Sequence, residues 1–431
     1  MGDASRARLP YLPALDGLRG AALVAILLLH GGVTSVRGGH LALTAFFTLS
    51  GFLITALLLV ERHRTGTVDL RQFWVRRARR LVPALLVTFP LVAVVVLLSS
   101  SPPSSGLLLD AVAAATWVAN WRFVLSEQTY ADLFALPSPF QHFWSLAVEE
   151  QFYLVFPLVL LGVLGLRRAH PRTGLLAALL AVLVVASTVW LAVLHAVDGP
   201  LGRAYYGTDA RLAEILVGSL LALAMVGPDG LRPLSPRVRR AVGAAGLAGL
   251  AGLLTLFVTL GKAEPLTYRG GFLLAALCTA AVVAAGTQPR SLVTRVLSVR
   301  PLVRLGLVSY GVYLFHWPLF LLLTEHQTGL ETGPLLAVRL GVVLALAFAS
   351  YAWLEAPVRA GHMPALPALG SWATGAVAGV VVVAAASTAV TLVPEPEPVR
   401  EVVVATDREP AATDAGPVAP PAPPPPAEPV T

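Results

Sequence analysis

Leu15-Asp-Gly-Leu-Arg-Gly-Ala-Ala-Leu-Val-Ala-Ile-Leu-Leu-Leu-His30 decides how this chain is read. It is an apolar helix with a cation, Arg19, near its start and an ionisable ring, His30, at its end. At about 100° per residue the two side chains point the same way, and the helical rise sets them roughly 16 Å apart along one face. In a soluble core a lone buried histidine is usually a satisfied packing residue. In hydrocarbon an ionisable group has to line water, a partner or a substrate path, so the pair reads as functional.

The rest of the chain puts that helix in a bilayer. Of 431 residues 56% are hydrophobic and 13% charged, against about 25% charged in soluble domains. Apolar runs of about 20 residues recur throughout, which predicts an all-α, polytopic transmembrane bundle rather than a barrel. About eleven spans are expected, near 17–36, 39–60, 81–99, 143–166, 174–196, 209–227, 241–260, 268–286, 306–325, 334–354 and 373–393. Residues 107–121 are apolar but carry Asp110 and Asn120. They read as a re-entrant or interfacial helix on the outer face, covering the site.

With the N-terminus inside, twenty-one cations fall on the inner side and seven on the outer, the positive-inside pattern of a multi-pass protein of the cell membrane. That pattern accounts for the net charge of +7 without a nucleic-acid partner. Lys262 is the only lysine among 31 cations, and Cys278 is the only cysteine, so no internal disulfide forms. The Arg, Ala, Val and Leu richness points to a GC-rich bacterial genome. No A-x-A site follows the first apolar run, so no cleaved signal peptide is expected. Three parts follow: a membrane-embedded domain over 1–372, an additional helix over 373–393, and a Pro/Ala-rich, disordered extracytoplasmic tail over 394–431.

Several polar clusters are not explained by hydropathy. Arg71-Gln-Phe-Trp-Val-Arg-Arg-Ala-Arg-Arg-Leu-Val-Pro83 precedes the third span on the inner face. Any one of its arginines suits a snorkelling loop residue. Together Arg76, Arg77 and Arg80 suit a phosphorylated donor, because planar guanidinium forks on one helical face grip phosphates. In Phe46-Phe-Thr-Leu-Ser-Gly-Phe-Leu-Ile-Thr55 the Ser50-Gly51 pair permits close helix approach. His142-Phe-Trp-Ser-Leu-Ala-Val-Glu-Glu-Gln-Phe-Tyr153 puts His142, Trp144, Ser145, Glu149 and Glu150 at the outer entrance of a span. Two adjacent carboxylates entering hydrocarbon need a cavity or a partner such as Arg211. Asp209-Ala-Arg-Leu-Ala-Glu214 reads equally well as a structural ion pair. In Ser309-Tyr-Gly-Val-Tyr-Leu-Phe-His-Trp-Pro318, Tyr310, Tyr313 and His316 share one helical face. Glu355 is expected to pair with a basic neighbour. The nine histidines show no metal-ligand spacing.

Taken together these segments resemble the acyltransferase-3 family of integral-membrane O-acyltransferases over about residues 9–360. The carrying motifs are the Arg-x10-His element at Arg19 and His30, in its Leu-Asp16-Gly-Leu-Arg-Gly setting, and Arg-x-x-Arg at Arg77 and Arg80. Phe46 to Ile54, Trp144 to Tyr153 and Ser309 to Pro318 complete the set. The resemblance implies transfer of an acyl group, often acetyl, from cytoplasmic acyl-CoA, a donor substrate rather than a bound cofactor, to a hydroxyl of an exported glycan or lipid-linked saccharide. Many relatives add an extracytoplasmic SGNH-type domain. No Gly-Asp-Ser segment follows here, so a separate SGNH-type partner is one expectation.

On this reading Arg76, Arg77 and Arg80 dock the CoA phosphates, and Arg19 binds the donor or steadies charge on the thioester. His30 serves as general base or covalent acyl carrier. Glu149 and Glu150 orient the acceptor or His30. Asp16, Ser50, His142, Trp144, Ser145, Arg211, Tyr310, Tyr313 and His316 support the site or bind the acceptor. One polar conduit is expected to join Arg19 to His30. The rival is a proton-coupled secondary transporter or exporter using His30, Glu149 and Glu150 as a relay, disfavoured by the lack of an inverted repeat.

Overall fold

The computed structural model describes residues 9–99, 106–126, 137–165, 173–198, 202–361 and 381. The expected span at 373–393, apart from residue 381, and the expected tail at 394–431 lie outside the described residues. The chain divides into Met1–Leu392 and Val393–Thr431, and the architecture below belongs to the first unit.

That unit is built from helices α1 (Pro13–His30), α2 (Ala42–Thr65), α3 (Leu70–Leu98), α4 (Leu107–Ala115), α5 (Ala119–Leu125), α6 (Phe143–Leu164), α7 (Thr173–Asp198), α8 (Arg203–Tyr206) and α9 (Thr208–Met225). A two-residue ribbon follows, β1 (Val226–Gly227) antiparallel to β2 (Gly230–Leu231). Then come α10 (Pro236–Thr259), α11 (Phe272–Gly286), α12 (Leu292–Leu297), α13 (Arg300–Leu307), α14 (Ser309–Leu322), α15 (Glu325–Thr328), α16 (Thr332–Ser350) and α17 (Ala356–Ala360). Side-chain oxygens at Asp69, Ser235 and Ser291 cap the starts of α3, α10 and α12 by accepting from the backbone N–H three residues on.

Among the described residues eight helices are long and apolar enough to cross a membrane, or nine with the pair α13–α14, which is bent by 72°. The expectation of about eleven is therefore not reached by length and composition. The span expected at 209–227 is present as α9, but its eighteen residues include Asp209, Arg211 and Glu214. The span expected at 306–325 is broken at Val308 into α13 and α14. Helices α4 and α5 are too short to span, and Trp117 between them has φ of 60°. Their bonds run to the flank: the Gln151 amide donates to the Trp117 carbonyl (2.8 Å) and the Asn120 side-chain oxygen (2.9 Å). They brace α6, and Asn120 also donates to the carbonyl of Tyr206 at 3.1 Å.

Two features of this packing place the functional side chains. Helix α2 crosses α9 at Gly51 and Gly218, where a Cβ would strike the Ile215 carbonyl from one side and the Thr48 carbonyl from the other. Only glycine permits this backbone approach, and it sets Ser50 beside α6. The Asp69 cap starts α3 a full three turns before the expected 81, so the arginine cluster lies on a helix rather than in a loop. Arg77 and Arg80 then share the inward face, while Arg76 and Arg79 turn to the surface.

Candidate active site: two cavities with a common wall

Along the path expected between Arg19 and His30 lie two adjoining cavities, and Leu43 and Tyr313 line both. Helix α1 runs past each: Arg19 faces the first, His30 the second. The Tyr313 and Leu43 side chains stand where the two cavities meet.

The first cavity encloses about 650 Å³ including its mouth, and Arg19, Arg77, Arg80, Glu149, Glu150 and Tyr310 supply its polar chemistry. Arg19 is paired with Asp16 one turn before it at 3.2 Å. Asp16 thus steadies the cation and does not itself line the cavity. Neither Arg77 nor Arg80 has a carboxylate within 4.0 Å among the described residues. Instead the Arg77 guanidinium lies over the Phe73 and Tyr153 rings, at 5.6 and 5.3 Å. Glu149 is tied back: Ser50 Oγ donates to it at 3.0 Å, and the Tyr153 hydroxyl donates to Ser50 Oγ at 2.9 Å. The buried Tyr310 hydroxyl has no protein partner. Guanidiniums left unpaired in a partly buried site are an anion receptor by default.

Arg76 is not part of this cavity. Its side chain is 52% exposed and pairs with Glu61 at 3.0 Å, because it sits one residue off the inward face. Glu149 and Glu150 were expected to orient His30 or the acceptor; they line the first cavity, which His30 does not. The cause is helical rise: eight residues of α6 between His142 and Glu150 span about 12 Å.

The second cavity encloses about 780 Å³ including its mouth, and its lining includes His30, His40, His142, Trp144, Tyr205 and Lys262. Here the hydrogen bonds fix the imidazole tautomers. His316 Nδ1 lies 2.6 Å from the Tyr313 carbonyl oxygen, which can only accept, so Nδ1 carries the proton. In neutral His316 the Nε2 is then the acceptor, and His30 Nδ1, 3.0 Å away, donates to it. The His30 proton is committed to Nδ1, and Nε2 is left with a free lone pair. The two rings lie nearly parallel, at 8°, with centroids 5.2 Å apart, and Trp317 packs edge-on to His30 at 5.1 Å. His142 Nε2 donates to the Leu314 carbonyl at 3.0 Å. Ser145 lines the first cavity and exchanges a 2.6 Å hydrogen bond with the Tyr313 hydroxyl, which also donates to the His142 carbonyl at 2.9 Å. Tyr313 is therefore pinned across the common wall.

Arg211 is fully buried and lines neither cavity. It pairs with Glu214 one turn on, not with Glu149 or Glu150, inside a cage of Phe272, Trp144, Tyr205 and Phe47 with its guanidinium 3.8 Å from the Phe272 centroid. Removing one partner strands the other charge in an apolar cage at a cost of about 3–5 kcal/mol. Arg211→Met alone is thus expected to lower the unfolding temperature in detergent markedly, and Arg211→Met/Glu214→Met to recover most of it. Glu355 pairs with Arg359 at 2.9 Å, as expected of it. Sequence reasoning missed His40, Gln141, Tyr205, Tyr206, Lys262 and Trp317, all in the second cavity. The available signal was Lys262, the only lysine.

The opening span of this helical membrane protein thus presents an arginine to one polar cavity and an imidazole to a second. The family described as Acyltransferase domain matches residues 12–354, and this chain belongs to that acyltransferase-3 family. The chain is 35% identical over 352 residues to the Peptidoglycan O-acetyltransferase OatA of Listeria monocytogenes, covering 81% of this chain and 56% of that one. It is 35% identical over 353 residues to the O-acetyltransferase OatA of Staphylococcus aureus (81% and 57%). The Putative peptidoglycan O-acetyltransferase YrhL of Bacillus subtilis is 35% identical over 356 residues (81% and 55%). The chain thus spans little more than half the length of these relatives. No solved structure matches it.

Proposed function

We propose that this chain transfers an acyl group, acetyl first among them, from cytoplasmic acyl-CoA to a hydroxyl of an exported cell-envelope carbohydrate. The observation that carries the proposal is the tautomer of His30, held by His316 so that Nε2 is the proton acceptor in a cavity abutting the one with two unpaired arginines. Family membership supports acyl transfer, and the names of the relatives support a peptidoglycan acceptor.

The N-terminus and the arginine-rich end face the cytoplasm, as the cation bias favours. Arg77 and Arg80 receive the donor phosphates, while Arg76 stays with Glu61 outside. The pantetheine arm lies along the first cavity, where Glu149 accepts from an amide N–H of the arm and Arg19 balances charge on the thioester side. The arm meets the acceptor at Tyr313, whose ring has to swing from the Ser145 bond to admit the thioester. His30 Nε2 takes the acceptor's hydroxyl proton as the oxygen attacks the acyl carbon. The C–S bond then breaks, CoA leaves as thiolate, and the proton on His30 is available to it. The helix over 373–393 would make an eleventh span and put residues 394–431 outside. There a separate SGNH-type partner would pass the acyl group to polymer.

The purified chain in nanodiscs, given [14C]acetyl-CoA and a soluble glycan acceptor, is expected to yield alkali-labile label on the glycan. Absence of label with every acyl-CoA and glycan offered, in protein that binds CoA, overturns the reading.

A further inference from the structure

We propose that the second cavity is a recognition site for an anionic saccharide, with Lys262 as the group that reads a carboxylate or phosphate next to the reacting hydroxyl. This rests on the acyl-transfer reading above and names the acceptor class for the same site.

The cavity is built asymmetrically. Its lining has one ammonium and three imidazoles, His30, His40 and His142, and no carboxylate. The first cavity, by contrast, carries Glu149 and Glu150 among its cations. Lys262 lies in the turn between α10 and the kinked segment Thr267–Gly271, outside the spanning helices. Its ammonium stands 3.9 Å from the centroid of Tyr205, and no carboxylate among the described residues lies within 4.0 Å of it. Glu264, two residues on, is taken by Arg37 at 3.3 Å. Half-burial and the nearby Arg211 guanidinium lower its pKa to about 8, so the group is charged at neutral pH but poorly solvated.

The rest of the lining suits the same ligand. His40 is 4% exposed and lines this cavity; its ring faces the Arg37 backbone and that of His142 the Pro139 backbone, in neither case within full hydrogen-bond geometry among the described residues. An ammonium with no carboxylate within 4.0 Å among the described residues, beside a hollow lined by three imidazoles and no acid, suits a polar anionic occupant. Trp144, Tyr206 and Trp317 also line the hollow, aromatic rings of the kind on which a pyranose can stack, and the Gln141 amide donates to the Tyr206 hydroxyl at 3.2 Å. A rigid aromatic platform with a few polar groups at its rim is how a concave site fixes a small ligand's orientation. The aromatic faces suit a sugar ring, and the ammonium suits an anion.

The experiment uses the full chain in nanodiscs and reads equilibrium binding by tryptophan fluorescence, since Trp144 and Trp317 line the cavity. The probes are N-acetylmuramic acid, its methyl ester, N-acetylglucosamine and N-acetylglucosamine 1-phosphate. Wild type is expected to bind at least one of the two anionic sugars about tenfold or more tightly than its uncharged counterpart, the yield of one charge-assisted hydrogen bond. Preference for the muramic acid assigns a carboxylate, and preference for the 1-phosphate assigns a phosphate. Lys262→Met is expected to lose that preference while keeping affinity for the methyl ester and N-acetylglucosamine, and Lys262→Arg to retain it. Equal binding of charged and uncharged sugars by wild type, which needs no variant, overturns the proposal. So does a preference that survives Lys262→Met. Because the readout is binding, it separates the two claims: discrimination without turnover leaves the subsite standing and sinks the acyltransferase reading, and turnover without discrimination does the reverse.

Discussion

His30→Ala is expected to reduce acyl transfer by about 10²–10⁴-fold in kcat, the range a positioned general base supplies, with donor affinity unchanged. The expectation comes from bond directions. His316 gives its Nδ1 proton to the Tyr313 carbonyl and receives from His30 Nδ1, so the only base left on His30 is Nε2. An alanine leaves the acceptor hydroxyl without a proton acceptor at that point while the arginine-side cavity, which His30 does not line, stays intact. Equilibrium CoA binding should therefore match wild type, and added imidazole should restore part of the rate. His316→Leu tests the positioning role. It keeps the base but frees its tautomer, so the loss should be smaller and the pH–rate profile should shift, which a packing defect alone would not do. Wild-type turnover in His30→Ala would remove the base. Label on the chain after a single turnover, released by brief acid or neutral hydroxylamine and absent in His30→Ala, would assign a covalent acyl-histidine instead.

How much of this was legible before the fold was known varies by the kind of signal. The membrane class and the candidate spans followed from composition and run length, because the bilayer imposes both. The family was legible because its motifs are local, and local spacing survives without tertiary knowledge. Arg77 and Arg80 could be placed on one face by counting, and so could Tyr310, Tyr313 and His316. Arg76 could not be excluded that way, since its fate depends on Glu61 from another helix. The partition between cavities was also illegible. Glu149 and His142 are neighbours in sequence yet serve different hollows, because α6 passes Tyr313 between them and the wall is built by α14. Arg211 read as a partner for Glu149, but its cage comes from α2, α6, α8 and α11, a set only packing assembles. His40 stands at the very start of an expected span and Lys262 in a short connection after one, and their shared hollow appears only once the end of α10 meets the segment before α2, where the Gly38 N–H donates to the Phe257 carbonyl at 2.8 Å.

Arg77→Ala/Arg80→Ala is expected to raise KM for acyl-CoA by about 10²-fold or more while leaving the acceptor's affinity in place. A hydrogen bond to a charged group contributes roughly 1.5–3 kcal/mol, and two planar forks facing one phosphate group act together, so tenfold per arginine is the lower bound. The structure makes these two residues separable from their neighbours. Arg76 and Arg79 share the same four-arginine run, but Arg76 is exposed and paired with Glu61, and Arg79 is exposed. Arg76→Ala/Arg79→Ala removes the same net charge from the same turns of α3 and is expected to change KM little. Comparing the two double variants cancels any general effect of surface potential, which acts on both alike and fades with salt. A further comparison uses free acyl-pantetheine, which carries no phosphate, as donor. If the inward pair grips the phosphates, its variant should lose nothing with a donor that lacks them. Equal KM effects from the inward and outward pairs would mean that the cluster acts only as a field at the membrane surface. A loss that persists with acyl-pantetheine would place Arg77 and Arg80 on the arm instead, alongside Arg19, with the phosphates held elsewhere.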